Sequence, residues 1–126
     1  MNARVLVVDD DPSILTILVA LLGGWGYDTA VATSGAGALA EIQRRCPDVV
    51  ISDLVMPGMS GMDLLQAIRQ QQRCDVPFFL LTAHGSVTVA VQAIEQGANE
   101  CLLKPCLPEA LHARLIAHGF RGGGAD

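Results

Sequence analysis

Short strand-like apolar runs alternate with segments of helical spacing along almost the whole chain, and this alternation most limits the folds open to it. Val5 to Val8 is continuously apolar and ends in acids, as a strand buried on both faces would. Pro12 stands where a helix would begin, Ile14, Leu18, Leu21 and Leu22 share one helical face, and Gly23, Gly24 and Gly26 stop the element. The same alternation recurs. Asp28 to Thr33 reads as a strand, Gly35 to Arg45 as a helix, Val49 to Ser52 as a strand, and the segment through Leu64, Leu65 and Ile68 as a helix. Phe78 to Thr82 and Cys101 to Leu103 read as strands, with helices from Ser86 to Gln96 and from Pro108 to Ala117. Strands joined by helical crossovers must lie parallel. The expected fold is therefore α/β: a single doubly wound five-stranded parallel sheet, flavodoxin-like strand order 2-1-3-4-5, with five helices.

At 126 residues the chain fits one domain, and 51% hydrophobic against 17% charged residues excludes a disordered segment for most of it. Residues 1–118 are expected to form the domain and 119–126, with Gly119 and Gly122 to Gly124, a Gly-rich tail or linker. A net charge of -5 argues against direct nucleic-acid binding, because carboxylates repel a phosphate backbone. Only four apolar residues follow Arg4 before the acids, and no apolar stretch is long enough to span a bilayer, so a cytoplasmic location without membrane insertion is expected. Cys46, Cys74, Cys101 and Cys106 lack C-x-x-C spacing and read as reduced thiols.

Ligand sites in such sheets lie outside the carboxyl ends of the strands. Here those ends carry Asp9 and Asp10, Asp53, Thr82 and Lys104, the one lysine among eight basic residues. Any one of these is unremarkable as a cap or a solvated charge, but the set is not. Three neighbouring carboxylates repel unless a cation neutralises them, and Mg²⁺ (or Mn²⁺) suits hard oxygen ligands that leave room for a phosphate. A carboxylate beside such a cation, a hydroxyl and an ammonium has the parts of a phosphoryl-acceptor site, with Asp53, before a Pro/Gly loop, as the nucleophile.

The stretches Val7-Val8-Asp9-Asp10-Asp11-Pro12, Ser52-Asp53-Leu54-Val55-Met56-Pro57-Gly58-Met59-Ser60-Gly61, Leu81-Thr82-Ala83-His84 and Lys104-Pro105 together resemble the receiver domains of two-component response regulators over about residues 4 to 117. The resemblance implies that Asp53 takes a phosphoryl group from a phosphohistidine of a sensor histidine kinase or phosphotransfer protein. It implies that Asp10, Asp53 and the backbone carbonyl of Val55 hold Mg²⁺, with Asp9 acting mainly through water, that Thr82 and Lys104 contact the phosphoryl oxygens, and that the Lys104-Pro105 peptide is cis. Such a chain catalyses its own phosphorylation and dephosphorylation without being a conventional turnover enzyme. Its implied partners are the kinase, a downstream effector domain or protein, and a second copy of itself as a candidate.

Two positions depart from the usual pattern: Cys101 and Cys106 stand where receivers commonly carry aromatic rings. With no ring at Cys101 to follow Thr82, the signal is expected to leave through the loop and helix after Thr82. Val55 and His84 flank the path of the hydrolytic water by the same likeness, and Val55, which cannot orient water, is expected to limit dephosphorylation. Leu15 and Val19 lie off the inward line of the first helix and are expected to form an apolar strip that docks on the kinase, unless the last helix covers it. Two rivals remain. A flavin or nucleotide module is disfavoured by the acids after the first strand, and a degenerate receiver serving only as an interaction surface by the presence of Asp10, Asp53 and Lys104.

Overall fold

The structure is a computed structural model that describes residues 2–83, 87–104 and 107–123. Its strands are β1 (Arg4–Val8), β2 (Asp28–Ala32), β3 (Val49–Asp53), β4 (Phe78–Thr82) and β5 (Glu100–Leu103). Its helices are α1 (Pro12–Gly24), α2 (Gly35–Arg44), α3 (Gly61–Gln66), α4 (Val87–Glu95) and α5 (Pro108–Ala117). All neighbouring strands pair in parallel, and the order is β2-β1-β3-β4-β5, as the alternation requires.

Burial on both faces explains why the central strands are apolar without interruption. Leu6, Val8, Val50, Phe78 and Leu80 point to one face, where they pack with Ile42 of α2, Leu64 and Leu65 of α3 and Ala93 of α4. Val5, Val7, Val49, Ile51, Phe79 and Leu81 point to the other, against Leu15, Leu18 and Leu22 of α1 and Leu111 and Leu115 of α5. Caps set the helix starts. Asp11 accepts from Ser13 N–H at 2.9 Å ahead of Pro12, Ser34 accepts from Gly37 N–H, and Ser60 and Asp63 form a reciprocal capping box. No described helix is long and apolar enough to cross a membrane.

Two features depart from the sequence reading. The chain widens after α3 into a π turn over Ala67–Gln71, closed by Gln72 N–H on Ala67 C=O at 3.0 Å. From this turn Arg69 donates to Cys74 C=O and to Gly97 C=O, each at 2.9 Å, joining the approach to β4 to the end of α4. Gly97 has φ +106°, a conformation that favours glycine. The second departure is at the carboxyl end, where residues 119–123 fold back onto the body and are not a free tail. Ala3 N–H donates to Arg121 C=O at 3.0 Å, Gly123 N–H to Gly26 C=O at 2.9 Å, and the Tyr27 hydroxyl to Phe120 C=O at 2.7 Å. Phe120 packs on the α1/α5 core, a single ring in a Gly-rich stretch where periodicity has nothing to report.

Candidate functional site at the carboxyl ends of the strands

Parallel pairing places the ends of β1, β3, β4 and β5 side by side, so residues far apart in sequence meet there. Asp9 follows β1 and is buried; its backbone N–H reaches across to Ala32 C=O at 3.2 Å. Asp53 ends β3, Thr82 ends β4 and is buried, and Lys104 follows β5 with its backbone N–H on Thr82 C=O at 2.8 Å. The Lys104 ammonium donates to Asp53 Oδ1 at 3.0 Å and to Asp9 Oδ2 at 3.4 Å. Asp53 Oδ1 also accepts from Leu54 N–H at 3.0 Å. Asp10 is exposed, and one carboxylate oxygen from each of Asp9, Asp10 and Asp53 lies within 4.8 Å of the others.

Burial raises the Asp9 carboxyl, and the Asp53 charge adds to this, while Asp11 N–H on Asp9 Oδ1 and the Lys104 ammonium pull against it. Burial alone would lower Lys104, but its bonds to Asp53 and Asp9 outweigh that and hold the ammonium above its ordinary value. One ammonium faces three carboxyl groups, so when all are ionised the site carries surplus negative charge on hard oxygens. That donor set fits Mg²⁺ or Mn²⁺.

Gly61 ends the Pro/Gly stretch after Asp53, and the sequence does not show what it touches. A Cβ there would lie 2.3 Å from Asp53 C=O and 3.0 Å from Leu54 Cα, so only glycine lets α3 start this close to the strand end. Gly61 N–H donates to Leu54 C=O at 2.8 Å and closes the loop. Within it Val55 is 57% exposed, at the mouth of the site.

Cys101 is half-buried in β5, paired with Leu80, and burial raises its thiol. His84, Pro105 and Cys106 lie outside the described residues. The exposed strip on α1 is not where the sequence placed it. Leu15 is buried with Leu18 and Leu22 in the cluster that holds Leu111 and Leu115 of α5, and Val19 is half-buried. Leu18 and Leu22 of the expected inward line are buried, and Leu15 is buried in place of Ile14, on the flank of α1 that lies beside Thr29 to Val31 of β2, whereas α5 borders the flank carrying Ile14 and Leu21. Ile17 is the large apolar α1 residue left open, 55% exposed, on a groove of about 430 Å³ shared with Ile14, Leu21, Leu81, Lys104 and Pro108.

The profile of the family described as "Response regulator receiver domain" matches residues 5–116. This chain belongs to that family. It is 41% identical over 117 residues to the DNA-binding response regulator MtrA of Mycolicibacterium smegmatis, covering 93% of this chain and 50% of that protein. It is 42% identical over 120 residues to the transcriptional regulatory protein ZraR of Escherichia coli, covering 93% of this chain and 27% of that protein. The receiver domain thus spans half or less of these relatives. Among solved structures, the chemotaxis protein CheY4 of Vibrio cholerae superposes with a TM-score of 0.87 at 36% identity, over 93% of this chain and 98% of that one.

Proposed function

We propose that this receiver domain is a phosphorylation-dependent switch that accepts a phosphoryl group on Asp53 from the phosphohistidine of a sensor kinase or phosphotransfer protein. The observation that carries the reading is the Lys104 ammonium bridging Asp53 and Asp9 at the strand ends of a receiver-family chain. Lys104 and Leu54 N–H hold Asp53 Oδ1, so Oδ2 is the oxygen that attacks phosphorus. The new Oδ2–P bond forms as the P–N bond to the donor imidazole breaks, and the imidazole leaves with a proton. Lys104 and the Thr82 hydroxyl neutralise and bind the transferred oxygens. Asp10, Asp53, the Val55 carbonyl and, through water, Asp9 would hold Mg²⁺ or Mn²⁺, which supplies charge neutralisation at the phosphoryl group when bound. Val55, with no polar atom on its side chain, leaves the hydrolytic water unoriented, so the phosphoryl group is long-lived.

The relatives named as DNA-binding or transcriptional regulators support an effector domain or protein as the recipient of the signal, in a cytoplasmic setting. Incubation with Mg²⁺ and a small acyl phosphate donor tests the reading. Wild type should gain one alkali- and hydroxylamine-labile phosphoryl group, and Asp53→Asn none. Failure of wild type to label under these conditions would favour a receiver that acts only as an interaction surface.

A further inference from the structure

Outside the phosphoacceptor site, two nucleophilic side chains that are distant in sequence meet at the opposite end of the sheet. Cys46 follows α2 and precedes β3, while Cys74 follows the π turn and precedes β4. Their sulfurs are 3.8 Å apart across 28 residues of separation. Both are free thiols, Cys46 exposed and Cys74 half-buried, and both line an open cleft of about 360 Å³ with Ile42, Gln43, Gln71 and Gln72. Cys74 is held on both sides, by its own N–H on Ile68 C=O at 3.0 Å and by Arg69 on its C=O at 2.9 Å. Cys46 is held less tightly; its sulfur reaches Pro47 C=O at 3.5 Å. A disulfide needs a separation of about 2.05 Å, so from 3.8 Å the sulfurs must close by roughly 1.75 Å in all, within reach of side-chain rotation at the exposed Cys46.

We propose that Cys46 and Cys74 form a reversible intramolecular disulfide on exposure to peroxide, stapling the end of α2 to the approach to β4. Cys46 Sγ, as the thiolate, attacks one oxygen of hydrogen peroxide; the O–O bond breaks, the other oxygen leaves as water after protonation, and Cys46 becomes a sulfenic acid. Cys74 Sγ then attacks the sulfenic sulfur, its S–O bond breaks, and a second water leaves. The two sulfurs lose two electrons and the two peroxide oxygens gain them. A dithiol reductant reverses the reaction. Burial, together with the neighbouring Cys74 sulfur and the Asp48 carboxylate, raises the Cys46 thiol against the pull of Arg4, so this pair answers sustained oxidation more than brief exposure. The staple lies at the amino ends of β3 and β4, whereas Asp53 and Thr82 lie at the carboxyl ends, so phosphoryl acceptance is left unchanged.

Hydrogen peroxide added to the full chain, followed by alkylation of remaining thiols and peptide mapping, tests this. The expected result is a monomer lighter by about 2 Da, with a Cys46–Cys74 linked peptide, restored by dithiothreitol. Closing this loop should raise the midpoint of thermal unfolding by about 5–10 °C. In Cys74→Ser, Cys46 should accumulate as a sulfenic acid that a dimedone probe captures. Oxidation of Cys46 to a sulfinic acid in wild type, a linkage through Cys101, or covalent dimers in place of the monomeric product would each overturn the proposal. So would both thiols remaining alkylatable after peroxide has oxidised the methionines.

Discussion

Replacing Lys104 by methionine keeps most of the side-chain volume and removes the one described cation at the site. At an effective dielectric of about 20, a charge pair at 3.0 Å or 3.4 Å is worth on the order of 5 kcal/mol before desolvation. The Lys104 side chain is 24% exposed and that of Asp53 14%, so screening and the cost of burying the ammonium reduce this to a net loss of about 2 kcal/mol. The loss has a pH signature. Burial already raises Asp9 in the wild type, with Lys104 opposing the shift; without Lys104 the Asp9 pKa rises further. A carboxyl whose folded pKa is raised favours the folded state when protonated, and that contribution is lost as pH rises through the folded value. Lys104→Met should therefore be close to wild type in the acid range and fall behind as pH rises toward neutrality. Urea unfolding at a series of pH values, with and without Mg²⁺, measures this, and Mg²⁺ should recover part of the deficit at neutral pH by replacing the missing positive charge. Equal stability of variant and wild type at neutral pH without divalent cation would refute the electrostatic account of the site. A deficit that grew toward acid pH would refute its sign.

Gly61→Ala forces a Cβ against the Asp53 carbonyl and Leu54 backbone, which cannot yield as a side chain would; a loss of about 2–3 kcal/mol and slower acyl phosphate labelling are expected, read by denaturation and labelling rate. Ile17→Glu should slow phosphoryl transfer from a sensor kinase about tenfold while leaving labelling by a small donor and the unfolding midpoint unchanged, whereas Leu15→Glu should damage the fold and depress both reactions. Burial alone would raise Glu100, but Arg114 and His118 outweigh it and the carboxyl is lowered, so its contribution is present above the ordinary value of 4.5 and lost as pH falls through the lowered one. Glu100→Gln should accordingly cost about 0.5–1 kcal/mol near neutral pH and nothing in strong acid, which thermal unfolding against pH would show.

Much of the architecture is legible in the chain itself because its causes are local. The unbroken run Val5 to Val8 reflects two buried faces, Pro12 marks a helix start, and parallel pairing follows from helices between strands. The candidate site was legible for the same reason: once the sheet is parallel, the residues ending β1, β3, β4 and β5 must share one rim, which brings Asp9, Asp53, Thr82 and Lys104 together. The inward rotation of α1 was not. Leu15 and Ile17 are equally apolar, and only the way α1 settles on the sheet decides which is buried. Nor could periodicity show that Gly61 is held against the Asp53 carbonyl, that Phe120 returns to the core, or that Cys46 and Cys74 lie within 3.8 Å. Those depend on where two separate elements come to rest against each other. Packing in three dimensions determines that, and no repeat along one dimension encodes it.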